Sequence, residues 1–195
     1  LSYFKDLDLR NSANFAIAKP SRYNIKQMQI SVVVPVFNEE ESLSSFYSEL
    51  VRELKKLGES YEIIFVDDGS TDNTKKLGEK LEKKYQHVRL ISHNINRGYG
   101  AALKTGFENS QYDYIVFTDG DLQFDFSEIT RLLEKIDSAD MVIGFREKRQ
   151  DTLSRHALMM LHRAWGYMFF GLYVKDIDCG FKLFRKTAIE AISPL

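Results

Sequence analysis

The chain lacks the features that mark several protein classes. It has one cysteine, Cys179, in 195 residues, so no intramolecular disulfide framework can form; this fits a reducing compartment or indifference to redox. It has no charge excess: 27 Lys and Arg stand against 28 Asp and Glu, a net charge of −1, which argues against a nucleic-acid binder. It has no run of about 18 uncharged apolar residues, the length a membrane-spanning helix needs. The first 20 residues lack the apolar central region of a signal peptide. No repeat, low-complexity tract or linker is visible. What is present is a globular balance, 44% apolar and 28% charged, enough for one substantial domain. The chain opens on Leu1 and stops at Leu195 soon after a helix begins, so a fragment truncated at its C-terminus is expected.

Residues 1–28, of mixed polarity and broken at Pro20, read as an irregular leader. A single domain is expected over 29–195. Ile30 to Val36 is a nearly continuous apolar run, the pattern of a strand buried on both faces. Asn38 then reads as a helix cap, with Glu39, Glu40 and Glu41 in the positive first turn. Leu43, Phe46, Tyr47, Leu50, Val51, Leu54 and Leu57 recur at three- and four-residue spacing, and Gly58 ends that helix. The cycle repeats: strands at Tyr61–Val66, Val88–Ser92, Tyr114–Thr118 and Met141–Gly144 alternate with helices at 72–84, near 101–107 and at 126–136. Alternation of this kind implies an α/β fold: an open, mostly parallel sheet flanked by helices.

In such sheets ligands bind at the carboxyl ends of the strands. The informative residues lie there: Asn38 and Glu39 after the first strand, Asp67 and Asp68 after the second, Asp119, Gly120 and Asp121 after the fourth, Arg146 after the fifth. Asp119 and Asp121 are two apart, so in extended chain they share one side, where they can hold a divalent cation while Gly120 admits a phosphate. An Asp-Gly surface turn is the competing reading. A calcium loop is excluded, because its glycine position is Phe124 and its final Glu position is Thr130. Asp67, closest to the strand end, reads as a ligand for a nucleobase or ribose, and Ser70 to Asp72 as turn and cap residues.

Asn96-Arg97-Gly98-Tyr99-Gly100 is not a dinucleotide fingerprint, since it lacks the third glycine and follows the third strand. Arg146, Lys148, Arg149, Arg155 and Arg163 form a local basic excess that suits an anionic partner or a solvated face. The apolar stretch 157–170 reads either as a helix on a membrane surface or as one packed on the core. Cys179 reads as a small buried side chain, and His87 and His93 as structural.

Val34-Pro35-Val36-Phe37-Asn38-Glu39-Glu40, Val66-Asp67-Asp68-Gly69-Ser70-Thr71-Asp72, Asp119-Gly120-Asp121-Leu122-Gln123 and Asp178-Cys179-Gly180-Phe181-Lys182 follow one another in that order. Together they resemble the family 2 glycosyltransferases of GT-A fold, and within them the polyprenyl-phosphate or dolichyl-phosphate sugar synthases of dolichol-phosphate mannosyltransferase type. The resemblance covers about residues 29–192. It departs from the family pattern at Phe124-Asp125, where these proteins more often carry a Pro turn.

The resemblance implies inverting transfer of a hexose, mannose or glucose, from GDP-mannose or UDP-glucose to a polyprenyl or dolichyl phosphate. It implies a divalent cation, Mg²⁺ or Mn²⁺, at Asp119, Asp121 and Gln123. Pro35, Val36, Asn38, Glu39, Asp67, Asp68 and Arg97 would line the nucleotide pocket, and Arg146, Arg155 and Lys182 would face the diphosphate or the acceptor phosphate. The catalytic set would be Asp119, Asp121, Arg146 and Asp178. A lipid acceptor places the chain in the cytoplasm, peripheral at the membrane. If the acceptor is instead a hydroxyl of a glycan, a base is needed, and Asp178 or Asp176 would serve. A non-catalytic nucleotide-sugar binding module is the rival outside enzymology. A nucleotide-sugar pyrophosphorylase would need a Gly-rich basic loop after the first strand, where Pro35-Val36-Phe37-Asn38-Glu39 stands instead.

Overall fold

A computed structural model describes residues 28–58, 60–120, 125–144, 160–161, 167–168 and 179–192. Its elements are β1 (Ile30–Val36), α1 (Leu43–Leu57), β2 (Tyr61–Asp67), α2 (Thr74–Lys84), β3 (Val88–Ser92), α3 (Tyr99–Glu108), β4 (Tyr114–Thr118), α4 (Ile129–Lys135), β5 (Met141–Ile143), β6 (Phe181–Arg185) and α5 (Lys186–Ile192). Single 3-10 turns, Phe126–Glu128 and Ile136–Ser138, flank α4.

The strands form one sheet in the order β3-β2-β1-β4-β6-β5. The first four are mutually parallel, and β6 runs antiparallel to both β4 and β5. The expected mixed α/β fold is therefore present. β6, unforeseen from the sequence, lies between β4 and β5.

Side chains alternate across β1 and sort the helices into two layers. Ile30, Val32, Val34 and Val36 face α1, α2 and α4 in the larger core cluster. Val33 faces the other way, with Ile115 and Phe117 of β4, and meets Leu103 and Phe107 of α3 and Ile189 of α5. Val32, Val33 and Val34 are fully buried, each contributing about 1.5–3 kcal/mol relative to exposure. Gly106 lets α3 seat directly on β1: a methyl group there would stand 2.2 Å from a Val33 methyl. Cys179 is buried in the larger cluster, a packing residue as expected.

Beneath α3 a polar network crosses three strands. The buried Glu62 carboxylate accepts from Ser31 Oγ (2.7 Å), the Gln111 N–H (2.7 Å) and Arg89 Nη1 (3.1 Å), while Arg89 also donates to the Asn109 carbonyl (2.8 Å). The network fastens the α3–β4 connection to the sheet and satisfies a charge that would otherwise be costly to bury.

The start of α1 differs from expectation. Its cap position is Ser42, not Asn38, and the three glutamates precede the helix. Asn38 instead takes a left-handed backbone, φ 56°, which asparagine tolerates better than most residues. Its side chain is engaged by the β2–α2 loop, where it accepts from the Thr71 N–H.

Candidate active site

In the order β3-β2-β1-β4 the chain direction of winding reverses between β1 and β4, the position where open α/β sheets form a crevice at their carboxyl edge. Pro35 bears on this edge. It has no N–H to give to a ladder. The β1–β2 register runs through Val36↔Asp67, whereas the β1–β4 register ends at Val33↔Phe117. Beyond it, the buried Gly120 packs over the end of β1; a Cβ there would lie 3.2 Å from Val36 Cγ1.

Two loops meet on the α1–α2 side of this edge. The Asn38 N–H donates to Ser70 Oγ (2.9 Å), and Asn38 Oδ1 accepts from the Thr71 N–H (2.9 Å). The Glu39 N–H donates to Thr74 Oγ1 (2.7 Å), the Glu40 N–H to Asp72 Oδ2 (3.2 Å), and the Asn73 N–H to Glu40 Oε2 (2.9 Å). Ser42 Oγ donates to the Glu39 carboxylate. Asp67 closes the clasp from inside: it is 1% exposed, and its Oδ1 accepts from the Ser70 N–H (3.0 Å). Asn38 and Asp67 thus shape the edge through bonds within the chain. Ser70 to Asp72 act as turn and cap residues, as expected: Asp72 Oδ1 accepts from the Thr74 N–H (2.9 Å), and all three also bond to the first loop.

On the α3 side, Asp68 is a hub. Its Oδ1 accepts from the Arg97 N–H (3.0 Å) and sits 2.6 Å from His93 Nδ1, and its Oδ2 accepts from the Gly98 N–H (2.8 Å). His93 Nε2 reaches Thr105 Oγ1 of α3 at 2.9 Å. Burial alone would raise the Asp68 pKa; the donors from Arg97, His93 and Gly98 outweigh it and hold the carboxyl below its ordinary value. Gly69 makes the close approach possible. It has φ +75°, and a Cβ would stand 2.5 Å from the Ile95 carbonyl carbon.

One residue beyond Gly98, Tyr99 Oη donates to Asp119 Oδ1 at 2.6 Å. The Tyr99 ring stands edge-on to Phe117 with centroids 6.1 Å apart. Lys182, paired with Phe117 across β4–β6, holds its ammonium 5.5 Å from the same ring. The structure therefore brings Asp68, Tyr99, Asp119 and Lys182 to one side of the edge, while the Asp67 carboxylate lies in the clasp on the other. Pro35 and Val36 end β1 between them. Arg97 is exposed beside Asp68. Asp121, Gln123, Arg146, Arg155, Asp176 and Asp178 lie outside the described residues, as does most of 157–170. Asp125 caps the following turn by accepting from the Ser127 N–H (2.9 Å).

Four residues at this edge were not read as site residues from sequence. Tyr99 and His93 act through partners 20 and 25 residues distant, which no local spacing signals. Phe37 and Ile95 are large apolar side chains left 43% and 71% exposed on the edge loops. Among the described residues, no three His, Cys, Asp or Glu side chains converge as a metal site. Asp119 is one hard oxygen donor at an open edge. That suits Mg²⁺ or Mn²⁺, which take one or two carboxylates and complete their shell with substrate phosphates and water, and does not suit a closed zinc-type site.

The family model for "Glycosyl transferase family 2" matches residues 31–192, and the chain belongs to that family. Among curated proteins it is 34% identical over 166 residues to undecaprenyl-phosphate 4-deoxy-4-formamido-L-arabinose transferases of Proteus mirabilis and of Klebsiella pneumoniae. Each match takes in 84% of this chain and 51% of the relative, so the chain spans about half the length of the curated relatives it matches. Among solved structures, a mannosyltransferase from Pyrobaculum calidifontis in complex with GDP-Man and Mn²⁺ superposes with a TM-score of 0.64 at 16% identity, covering 93% of this chain and 50% of the other. Glucosyl-3-phosphoglycerate synthase from Mycobacterium tuberculosis, in complex with Mn²⁺, UDP-glucose and phosphoglyceric acid, gives a TM-score of 0.61 at 20% identity, covering 84% and 60%. These likenesses show a shared fold, that of the GT-A nucleotide-sugar transferases.

Proposed function

We propose that this domain transfers a sugar from a nucleoside diphosphate donor to a polyprenyl phosphate, with inversion at the anomeric carbon. The observation that carries the reading is the edge where Asp68 and Asp119, from strands on either side of β1, are joined through consecutive residues Gly98 and Tyr99. The names of the curated relatives, which act on undecaprenyl phosphate, support the acceptor class.

In this reading Pro35, Val36, Asn38, Glu39, Asp67 and Arg97 form the nucleotide side, with Asp68 bracing it from below. Asp119, Asp121 and Gln123 would hold Mg²⁺ or Mn²⁺ against the donor diphosphate. The bound ion supplies Lewis-acid neutralisation of the charge that builds on the leaving diphosphate. Arg146, Arg155 and Lys182 add fixed positive charge where phosphates gather. An oxygen of the acceptor phosphate bonds to the anomeric carbon as the bond to the donor diphosphate breaks, and the electron pair leaves with the nucleoside diphosphate. The acceptor phosphate is already anionic, so no proton has to move; a hydroxyl acceptor would need Asp178 or Asp176 as base.

No described helix is long and apolar enough to cross a membrane. A polyprenyl acceptor brings the domain to the membrane surface, where the apolar stretch 157–170 and its neighbouring arginines suit a peripheral contact. The donor sugar expected from resemblance is mannose or glucose, whereas the curated relatives are named for a formamido-arabinose. The test presents GDP-mannose, UDP-glucose and a nucleotide-linked formamido-arabinose with Mn²⁺ and undecaprenyl phosphate. A lipid-linked sugar from one donor supports the reading; transfer only to a glycan hydroxyl, or binding without turnover, overturns it.

A further inference from the structure

We propose that Tyr99 is a positioning residue for the cation site: its phenol fixes the orientation of the Asp119 carboxylate, and the Asp68 hub fixes Tyr99. The inference rests on the reading of Asp119 as a cation ligand and adds the residue that aims it.

The 2.6 Å contact between Tyr99 Oη and Asp119 Oδ1 has the length of a charge-assisted O–H···O⁻ bond. It constrains the rotation of the carboxylate, so that Oδ2 is held in a set direction. A phenol is suited to this task because it is neutral. A lysine or arginine in its place would orient the same carboxylate but cancel the charge that a dication needs. Tyr99 is 50% exposed, so a bond there adds little to folding.

Tyr99 is itself held at both ends. Its ring rests edge-on against Phe117, on the strand that leads into Asp119. Its backbone follows Gly98, whose φ of +90° and N–H bond to Asp68 Oδ2 (2.8 Å) set where α3 begins. Asp68 is braced by His93 at 2.6 Å, and His93 by Thr105, about 1.7 turns into α3. Contacts thus run without a break from the end of β2, across β1, to the end of β4. A side chain oriented through such a chain of contacts, anchored on the buried Asp68, is pre-aimed before any ligand arrives.

The experiment titrates Mn²⁺ into the full chain by electron paramagnetic resonance, with UDP present and again with GDP, for wild type, Tyr99→Phe and Asp119→Asn. Tyr99→Phe keeps the ring on Phe117 and removes only the hydroxyl. The expected result is Mn²⁺ affinity weakened about tenfold in Tyr99→Phe, the size typical of losing a group that orients a metal ligand, with the melting temperature unchanged. Asp119→Asn should lose at least as much. Wild-type affinity in Tyr99→Phe alongside loss in Asp119→Asn would refute the role of Tyr99 and leave the cation site standing. Wild-type affinity in both variants would refute the cation site and the role of Tyr99 with it.

Discussion

Replacing Gly69 by alanine tests whether the two loops of the edge are as closely packed as the structure has them. The new methyl would stand 2.5 Å from the Ile95 carbonyl carbon and 2.6 Å from the Asn96 nitrogen, where ordinary contact begins at 3.4 Å, so the 95–96 backbone must retreat by about 1 Å. Holding alanine at φ +75° adds about 1–2 kcal/mol, and relieving the backbone clash about 1–3 kcal/mol. A total of roughly 2–5 kcal/mol lowers the melting temperature by roughly 4–20 °C in a domain of this size. Arg97, Gly98 and Tyr99 follow 95–96, so the retreat also pulls the Tyr99 phenol from Asp119. A misplacement of that size can cost about a hundredfold in rate. Gly100 is the control: a Cβ there meets nothing within 4 Å. Thermal melts and sugar-transfer rates are measured for both variants. Gly69→Ala melting with Gly100→Ala and turning over like wild type would refute the packing argument.

Other perturbations probe separate parts of the account. Glu62→Gln removes the charge that Arg89 meets at 3.1 Å and should cost about 2–3 kcal/mol in urea unfolding, since the pair is only partly shielded from water. His87 is held below its ordinary pKa of 6.5, by burial first and by the Lys55 charge second. As pH falls through 6.5 the unfolded imidazole takes a proton that the folded one refuses, so stability drops down to the folded pKa, by at most about 1.4 kcal/mol per pH unit. Urea midpoints at pH 7.5 and 5.5 should show a smaller pH dependence in His87→Gln than in wild type; equal dependence would sink this. Asp178→Asn should retain turnover with a phosphate acceptor and lose it with a hydroxyl acceptor, which a product assay on each acceptor separates.

Much of the fold was legible because its central strands β1, β2 and β4 are buried on both faces and its strands are bounded by turn residues. β3 (Val88–Ser92) and β4 (Tyr114–Thr118) lie where the apolar runs place them, and β2 extends one residue further, to Asp67. β6 was not legible. Phe181-Lys182-Leu183-Phe184-Arg185 is short, two of its five residues are charged, and its partner strand β4 lies more than 60 residues away. The start of α1 was misread for a similar reason. Asn38 has the chemistry of a cap, but its oxygen is taken by Thr71, 33 residues on. The acids at the strand ends were visible as candidates, and the structure sorts those it describes by where their bonds go. Asp68 spends both oxygens on the β3–α3 loop, Asp67 accepts from Ser70, and Asp119 accepts from Tyr99. That division depends on contacts across the sheet, which composition and spacing do not encode.

The central claim is that the end of β4 grips a dication beside the donor diphosphate, and a crystal of the full chain soaked with Mn²⁺ and a nucleoside diphosphate tests it most directly. The account predicts an anomalous manganese peak within bonding distance of an Asp119 carboxylate oxygen and of the diphosphate. A diphosphate bound away from the β1–β4 edge, or manganese that avoids Asp119, would contradict it.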